Sequence, residues 1–212
     1  MPPVVLRGAE NLFKSSNILI GKTGEKGREW YDNAFNYYEE YRKHYTESEK
    51  FFLYSVIADQ IMRAGVRSIL DVGCGSGQFS QLLRDRGFVD YYGIDFSRKR
   101  IEWAKKNCPD YRFVLADALE SDIFEKLHYD CVVSIEFLEH VEKDVEVITR
   151  VKSGTIFYGT VPNFTYTSHV RHFNNPEEVH DRYAEYFNEF RVTSFIADTR
   201  GKAFYLFEVI KK

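Results

Sequence analysis

Cysteine is scarce. The three residues, Cys74, Cys108 and Cys131, are widely spaced and form no C-x-x-C pair. An odd number arranged this way excludes a disulfide framework and argues against a thiolate zinc site. No apolar run nears the ~20 residues of a membrane span, so no membrane partner is expected. The opening stretch MPPVVLRGAENLFKSSN lacks a basic start followed by a long apolar core. It therefore reads as no secretory leader, and a reducing cytoplasm is the expected location. Excess charge is missing too: 29 basic against 32 acidic residues leave −3. That balance gives little basis for stable nucleic-acid binding, whose affinity comes mostly from neutralising phosphates. What the chain does have is apolar and aromatic residues, 44% and 17%, over 212 residues. This is ample for the core of one domain.

Residues 1 to about 27 show little periodicity, and GKTGEKG at 21–27 reads as a glycine and lysine loop within a mobile arm or flap. No Pro or Gly interrupts the chain from Glu29 through Ala64, and Gly65 stands where a helix C-cap belongs. Two helices are expected there, breaking near HYTESE. Either Thr46 with Glu49, or Ser48 ahead of Phe51, would cap the second. Trp30, Tyr31, Phe35, Tyr38, Tyr41 and Tyr45 recur at spacings of three and four, an aromatic stripe along one helical face. Residues 1–64 are thus expected to form an arm and helical lid on a domain spanning 65–212.

From Val66 onward strands and helices alternate. Strands are expected at 67–72, 90–95, 112–116, 130–135, 154–160, 190–198 and 203–210, and helices at 77–87, 97–107, 120–126, 143–151 and 175–188. Strands rich in Val and Ile suit a parallel sheet buried on both faces. The expected fold class is α/β: a three-layer α/β/α sandwich with a mainly parallel seven-stranded sheet. The last two strands are separated only by a tight TRGK turn, so they should pair as an antiparallel hairpin.

The stretch SILDVGCGSGQFSQLL, 68–83, puts three glycines at alternating positions between a strand and a helix. The free N–H groups of that helix start face a ligand beyond the strand ends. A phosphate-binding P-loop would need a Lys after the glycines, and none follows. A dinucleotide fingerprint would need a third glycine where Gln78 stands. The spacing is D-x-G-x-G-x-G, and Asp71 at the strand end would repel a pyrophosphate but suits a cationic amine. Asp95, ending the second strand, can accept from two ribose hydroxyls. Asp117, ending the third, can receive an exocyclic adenine amine, with Phe96 or Leu119 beside the purine. One ligand carries all three groups: S-adenosylmethionine (SAM).

With these residues in place, the chain resembles the class I, Rossmann-like, SAM-dependent methyltransferases. ILDVGCGSGQFS, YYGIDFS, FVLADAL and YDCVVSIEFLEHV follow that family's order and spacing across residues 50–212. The resemblance implies that Asp71 and the loop Gly73, Cys74, Gly75 and Gly77 hold the methionine part, Asp95 the ribose, and Asp117 with Ala118 the adenine. It places Ser134, Glu136 and Phe137 near the methionine carboxylate and sulfonium, and it implies N-terminal helices that cover the donor through Tyr31 or Tyr38. The product would be S-adenosylhomocysteine (SAH).

Glu136, Glu139 and His140 form an E-x-x-E-H cluster that would share one helical face. Small-RNA 2′-O-methyltransferases resemble this segment and use it for a divalent metal. Ubiquinone-biosynthesis O-methyltransferases carry nearly the same LEHV, and many small-molecule members share EHV without a metal. No metal is expected here; His140 would pack at the helix start while the glutamates are solvated or cap it. In TVPNFTYTSHVRHFNNPEEV, 160–179, Asn175 and Pro176 should open a helix. His169, Arg171 and His172 would face the cleft from its rim. A neutral His140, His169 or His172 could take a proton from an acceptor hydroxyl, and Arg171 could hold an acidic acceptor. The expected activity is methyl transfer from SAM to a small-molecule substrate at oxygen. The alternatives are a metal-dependent RNA 2′-O-methyltransferase and a SAM-binding protein without turnover.

Overall fold

A computed structural model describes residues 23–212; the expected arm over the first 22 residues lies outside the described residues. Five strands run parallel: β1 (Ser68–Val72), β2 (Asp90–Asp95), β3 (Arg112–Leu115), β4 (Cys131–Ile135) and β5 (Ile156–Pro162). Every residue of β1 is buried, as a strand covered on both faces requires. The last strand, β8 (Ala203–Lys211), lies antiparallel to β5, pairing Ile156 with Ile210 through to Pro162 with Phe204. Its other edge carries two short strands, β6 (Phe187–Asn188) and β7 (Val192–Ile196). The sheet order is β3-β2-β1-β4-β5-β8-β6, with β7 also on β8.

The sheet thus has eight strands in seven ladder positions. The strand expected over 190–198 is present as β7; the additional short strand, β6, occupies the end of the stretch expected to be helical to 188, and Glu189 takes a left-handed backbone (φ 49°) between the two. The expected hairpin of β7 and β8 is present. Gly201 N–H bonds to Asp198 O at 3.2 Å, and Ala197 N–H to Lys202 O at 2.6 Å.

Helices cover both faces. On one face α2 (Phe51–Arg63), α3 (Gln78–Asp85) and α4 (Arg98–Asn107) bury Ile57, Ile61, Leu83 and Ile101 against Ile69 and Tyr91. On the other, α5 (Ile123–Lys126), α6 (Asp144–Arg150) and α7 (Pro176–Tyr183) bury Phe124, Ile148, Val179 and Tyr183 against Leu70, Val132 and Phe207. Asn175 caps α7, its Oδ1 accepting the Glu178 amide at 2.9 Å, with Pro176 in the first turn. The helix expected to reach 188 stops at Tyr183, and a 3₁₀ turn, Ala184–Tyr186, leads into β6, where Phe187 is buried.

Ahead of the sheet the two expected helices are α1 (Arg28–Tyr37) and α2, and the break between them is longer than expected, holding two 3₁₀ turns, Glu39–Arg42 and Tyr45–Glu47. Ser48 Oγ accepts the Lys50 amide at 3.2 Å just before α2, and neither expected cap residue closes the helix start. Gly65, at φ 67°, ends α2 as expected, its amide bonding to Met62 O. Asp32 and Gln78 are among the residues that fasten this N-terminal region to the starts of α4 and α3. Asp32 Oδ1 accepts from Ser97 Oγ (2.6 Å) and the Lys99 amide (3.2 Å) at the start of α4. Gln78 Nε2 donates to Glu40 O and Lys43 O, both at 3.0 Å.

Candidate donor and acceptor site

The glycine turn sits between β1 and α3. Gly73 has φ 77°, and a Cβ there would lie 2.3 Å from the Phe137 ring, so both backbone and space demand glycine. The amides of Gly73 and Cys74 bond to Ile94 O on β2. Asp95 ties the loop to the strand end: Oδ2 accepts the Gly75 amide (3.0 Å) and Oδ1 the Ser97 amide (2.8 Å).

A cavity of about 330 Å³ opens above these strand ends. Among its lining residues are Asp71, Gly73, Cys74, Gly75, Asp95, Phe96, Asp117, Ala118, Tyr31, Tyr38, Glu136, His140 and His169, from both the donor and acceptor sets. Three expected residues are not in the lining. Gly77 starts α3 at φ 83°, where a Cβ would meet Ser80 and Ala104. Ser134 is buried within β4, its hydroxyl without a partner among the described residues. His172 lies in a separate open groove with Arg171 and Arg182.

Asp71 is buried and accepts a 2.5 Å hydrogen bond from Tyr91 Oη. Burial pushes its carboxyl up to about 7, with Tyr91 working the other way. A ligand ammonium needs the ionised form. SAH affinity should therefore fall as pH drops below about 7, approaching tenfold per unit. Calorimetry at about pH 6 and pH 8 reads this. Asp71→Asn, weak at both, should remove the slope; a slope that persists would assign it to Glu136, which burial also raises to about 7.

The segment after β4 does not continue as one helix. Glu136 takes φ 52°, a left-handed backbone that costs roughly 1 kcal/mol or more outside glycine. Thr160 Oγ1 holds it there, accepting its amide (2.9 Å) and donating to its carboxylate (3.1 Å). A 3₁₀ turn, Leu138–His140, follows. The three residues of the E-x-x-E-H cluster do not share a face. Instead Glu139, His140 and His169 converge, their candidate ligand atoms within 4.8 Å of one another. Glu139 is neither solvated nor a cap: it is fully buried and, among the described residues, neither oxygen has a hydrogen-bond partner. Burial pushes its carboxyl well up.

Each histidine has its Nδ1 at a backbone carbonyl: His140 at Ser168 O (2.9 Å) and His169 at Phe164 O (3.1 Å). A carbonyl only accepts, so Nδ1 carries the proton and Nε2 presents a lone pair. Burial holds both rings neutral, at about 3 for His140 and about 4 for His169. The 3.6 Å approach of His140 Nε2 to Glu139 is therefore no salt bridge near neutral pH. An unpartnered carboxyl beside two oriented Nε2 lone pairs is a donor set that fits a divalent cation.

Arg171 does not face the cleft. It bonds to the carbonyls of Leu138 (2.7 Å), Val141 (2.5 Å) and Glu142 (3.0 Å), and reaches buried Asp144 at 3.2 Å. It braces the turn from behind. Among the lining residues that escaped the sequence reading are Arg100 and Lys50. Arg100 stacks between the rings of Tyr31 (4.8 Å) and Tyr41 (4.3 Å), and Lys50 enters from the start of α2. Neither sits in a pattern that separates it from a solvated surface cation.

A family model described as a methyltransferase domain matches residues 69–153. Over 106 residues the chain is 36% identical to a ubiquinone biosynthesis O-methyltransferase of Nitrosomonas europaea, covering 45% of this chain and 44% of that protein. Over 178 residues it is 32% identical to the mitochondrial ubiquinone biosynthesis O-methyltransferase of Candida albicans, covering 68% and 53%. The chain spans about half the length of the curated relatives it matches. Among solved structures, magnesium protoporphyrin IX methyltransferase from Synechocystis with bound SAH superposes with a TM-score of 0.59 at 15% identity, over 95% of both chains. A SAM-dependent methyltransferase from Archaeoglobus fulgidus gives 0.59 at 19%, over 84% of this chain and 99% of that one. The sequence matches place the chain among the SAM-dependent methyltransferases, and the strand order, the glycine loop between β1 and α3 and the structural likenesses give it that family's class I, Rossmann-like fold.

Proposed function

We propose that this chain transfers the methyl group of SAM to an oxygen of a small-molecule acceptor, leaving SAH. One observation carries the reading: the acidic strand-end residues Asp71, Asp95 and Asp117 line the same cavity as two neutral histidines. In the donor half, Asp71 takes the ammonium, Asp95 the ribose hydroxyls and Asp117 the adenine amine. In the acceptor half, the acceptor oxygen bonds to the methyl carbon as the carbon–sulfur bond breaks and its electron pair passes to sulfur. The hydroxyl proton leaves toward a Nε2 lone pair or solvent. Aligning the two reactants supplies much of the rate, since effective molarities for such positioning reach about 10⁵ M or more. The relatives named as O-methyltransferases support oxygen as the atom.

A second reading is favoured by the convergence of Glu139, His140 and His169. These residues would hold a divalent cation, which supplies Lewis acidity to an acceptor hydroxyl. RNA, with its 2′-hydroxyl, would be one such acceptor.

The test is incubation with methyl-labelled SAM and a cell extract, with and without EDTA, followed by separation of small molecules, protein and RNA. Label in the small-molecule fraction is expected. Loss of that label with EDTA would select the metal-assisted form. EDTA-sensitive label in RNA would overturn the substrate class, and no SAM binding at all would overturn the activity.

A further inference from the structure

We propose that Lys50 is an acceptor-binding residue, and that the acceptor is a hydroxyl acidic enough to be held as its oxyanion, a phenol or an enol. This rests on the methyl-transfer reading and adds the acceptor's chemical class.

Lys50 precedes α2, its backbone pinned at both ends. Its amide bonds to Ser48 Oγ (3.2 Å) and its carbonyl accepts the Tyr54 amide (2.9 Å). The side chain is half-buried and lines the cavity. Among the described residues, no carboxylate oxygen lies within the 4.0 Å of an ion pair with its ammonium. The groups facing it are Glu49, Tyr41 and Tyr54 from the N-terminal side, Glu136, Glu139 and His140 from the turn after β4, and His169 from the loop after β5. Burial works against the charge, but Glu136, Tyr54 and Glu139 outweigh it and hold the amine at about 12. Lys50 therefore stays a cation throughout the neutral range.

The other basic side chains of the cavity have partners of their own. Arg100 is stacked between Tyr31 and Tyr41 near Asp95, on the donor side, and Lys26 has interactions of its own. Lys50 is thus an ammonium facing the histidine side of the cavity without a carboxylate partner among the described residues. Tyr38, Tyr41, Phe164 and Tyr166 supply aromatic walls around it, which suit a flat ring.

An ammonium beside an acidic hydroxyl favours the ionised form and so raises the share of the nucleophile. The proton leaves to solvent or to His169 Nε2. The oxyanion's lone pair then forms the carbon–oxygen bond, and the electrons of the broken carbon–sulfur bond go to sulfur. The ether product is neutral and no longer pairs with Lys50, so the contact favours substrate over product.

The experiment titrates para-nitrophenol, whose ionised form is yellow, with the SAH-loaded full chain. In the wild-type site its apparent pKa should fall by about one unit relative to water, a tenfold gain in phenolate at fixed pH. Lys50→Met should abolish the shift and Lys50→Arg should retain it. Both variants should bind SAH within about twofold of the parent, which also reports their folding; Lys50→Gln replaces Lys50→Met if the latter does not fold. No binding of the phenol, no shift in the parent, or an equal shift in Lys50→Met would overturn the proposal. So would a tenfold loss of SAH affinity in Lys50→Met, which would assign Lys50 to the donor's carboxylate. A parent chain that binds no SAH fails the methyl-transfer reading instead, before any phenol is added.

Discussion

Asp95→Ala should weaken SAH binding by roughly a hundredfold in a calorimetric titration. Asp95 is 7% exposed, and each of its oxygens already accepts one backbone amide, from Gly75 and from Ser97. A carboxylate oxygen offers two acceptor positions, so one on each remains for the paired ribose hydroxyls. Hydrogen bonds to a charged group contribute about 1.5–3 kcal/mol each. Losing two therefore costs about 3 kcal/mol or more, or about two decades in Kd. Part of the loss would come through the glycine loop, because the Gly75 amide also loses its acceptor. Asp95→Asn keeps one acceptor oxygen and should lose less. Unchanged affinity in Asp95→Ala would remove the ribose from this strand end.

The second large effect is on stability. Asp144 is fully buried, at the first position of α6. It receives Arg182 Nε (2.8 Å) and Nη2 (2.6 Å), Tyr183 Oη (2.7 Å) and Arg171 Nη1 (3.2 Å). Asp144→Ala leaves two guanidinium groups and a hydroxyl around an empty place. Breaking a buried pair in this way costs about 3–5 kcal/mol. In a chain of this size the midpoint of thermal unfolding should fall by on the order of ten degrees. A fall below about three degrees would mean that water replaces the carboxylate without cost. Because Arg171 also holds the carbonyls of Leu138, Val141 and Glu142, the variant should loosen the turn that carries His140 as well.

The strand-end half of the cavity lining was legible in the sequence because it is written in local order. Asp71 and Asp95 lie at the ends of β1 and β2 and Asp117 just past β3, where an open parallel sheet places its crevice, and the glycines mark where backbone must be bare. The acceptor half is assembled across the chain, and there the reading slipped. Glu139 reads as a solvated glutamate until the segment at 168–170 closes over it, with the Val170 amide on the Glu139 carbonyl. His169, Arg171 and His172 stand within four residues, yet only His169 lines the cavity; Arg171 braces the turn and His172 lies in another groove. An irregular loop has no fixed alternation from which sides can be read. Lys50 belongs to the same class, since its place is set by how the Tyr45–Glu47 turn seats α2. In the fold, the strands and helices from Val66 onward stand close to their expected places. The short strand β6 went unseen because two residues ahead of a left-handed Glu189 leave no mark in composition.

The antiparallel insertion of β8 also bears on how the protein is made. β5 lies in the middle of the finished sheet, with Phe157 and Tyr158 buried and Phe207 of β8 packed over Gly159. During synthesis, however, β5 emerges before the strand that covers it. At about 5–20 residues per second, the stretch from Pro162 to Ala203 takes roughly two to eight seconds to add. For that interval the nascent chain presents an apolar strand with one unpaired edge, the feature most prone to pairing with another molecule. The donor half, β1 to β4, has all its partners by then. The hazard in producing this protein is therefore concentrated at one edge of one strand, and a chaperone that shields β5 until β8 arrives would act where aggregation starts.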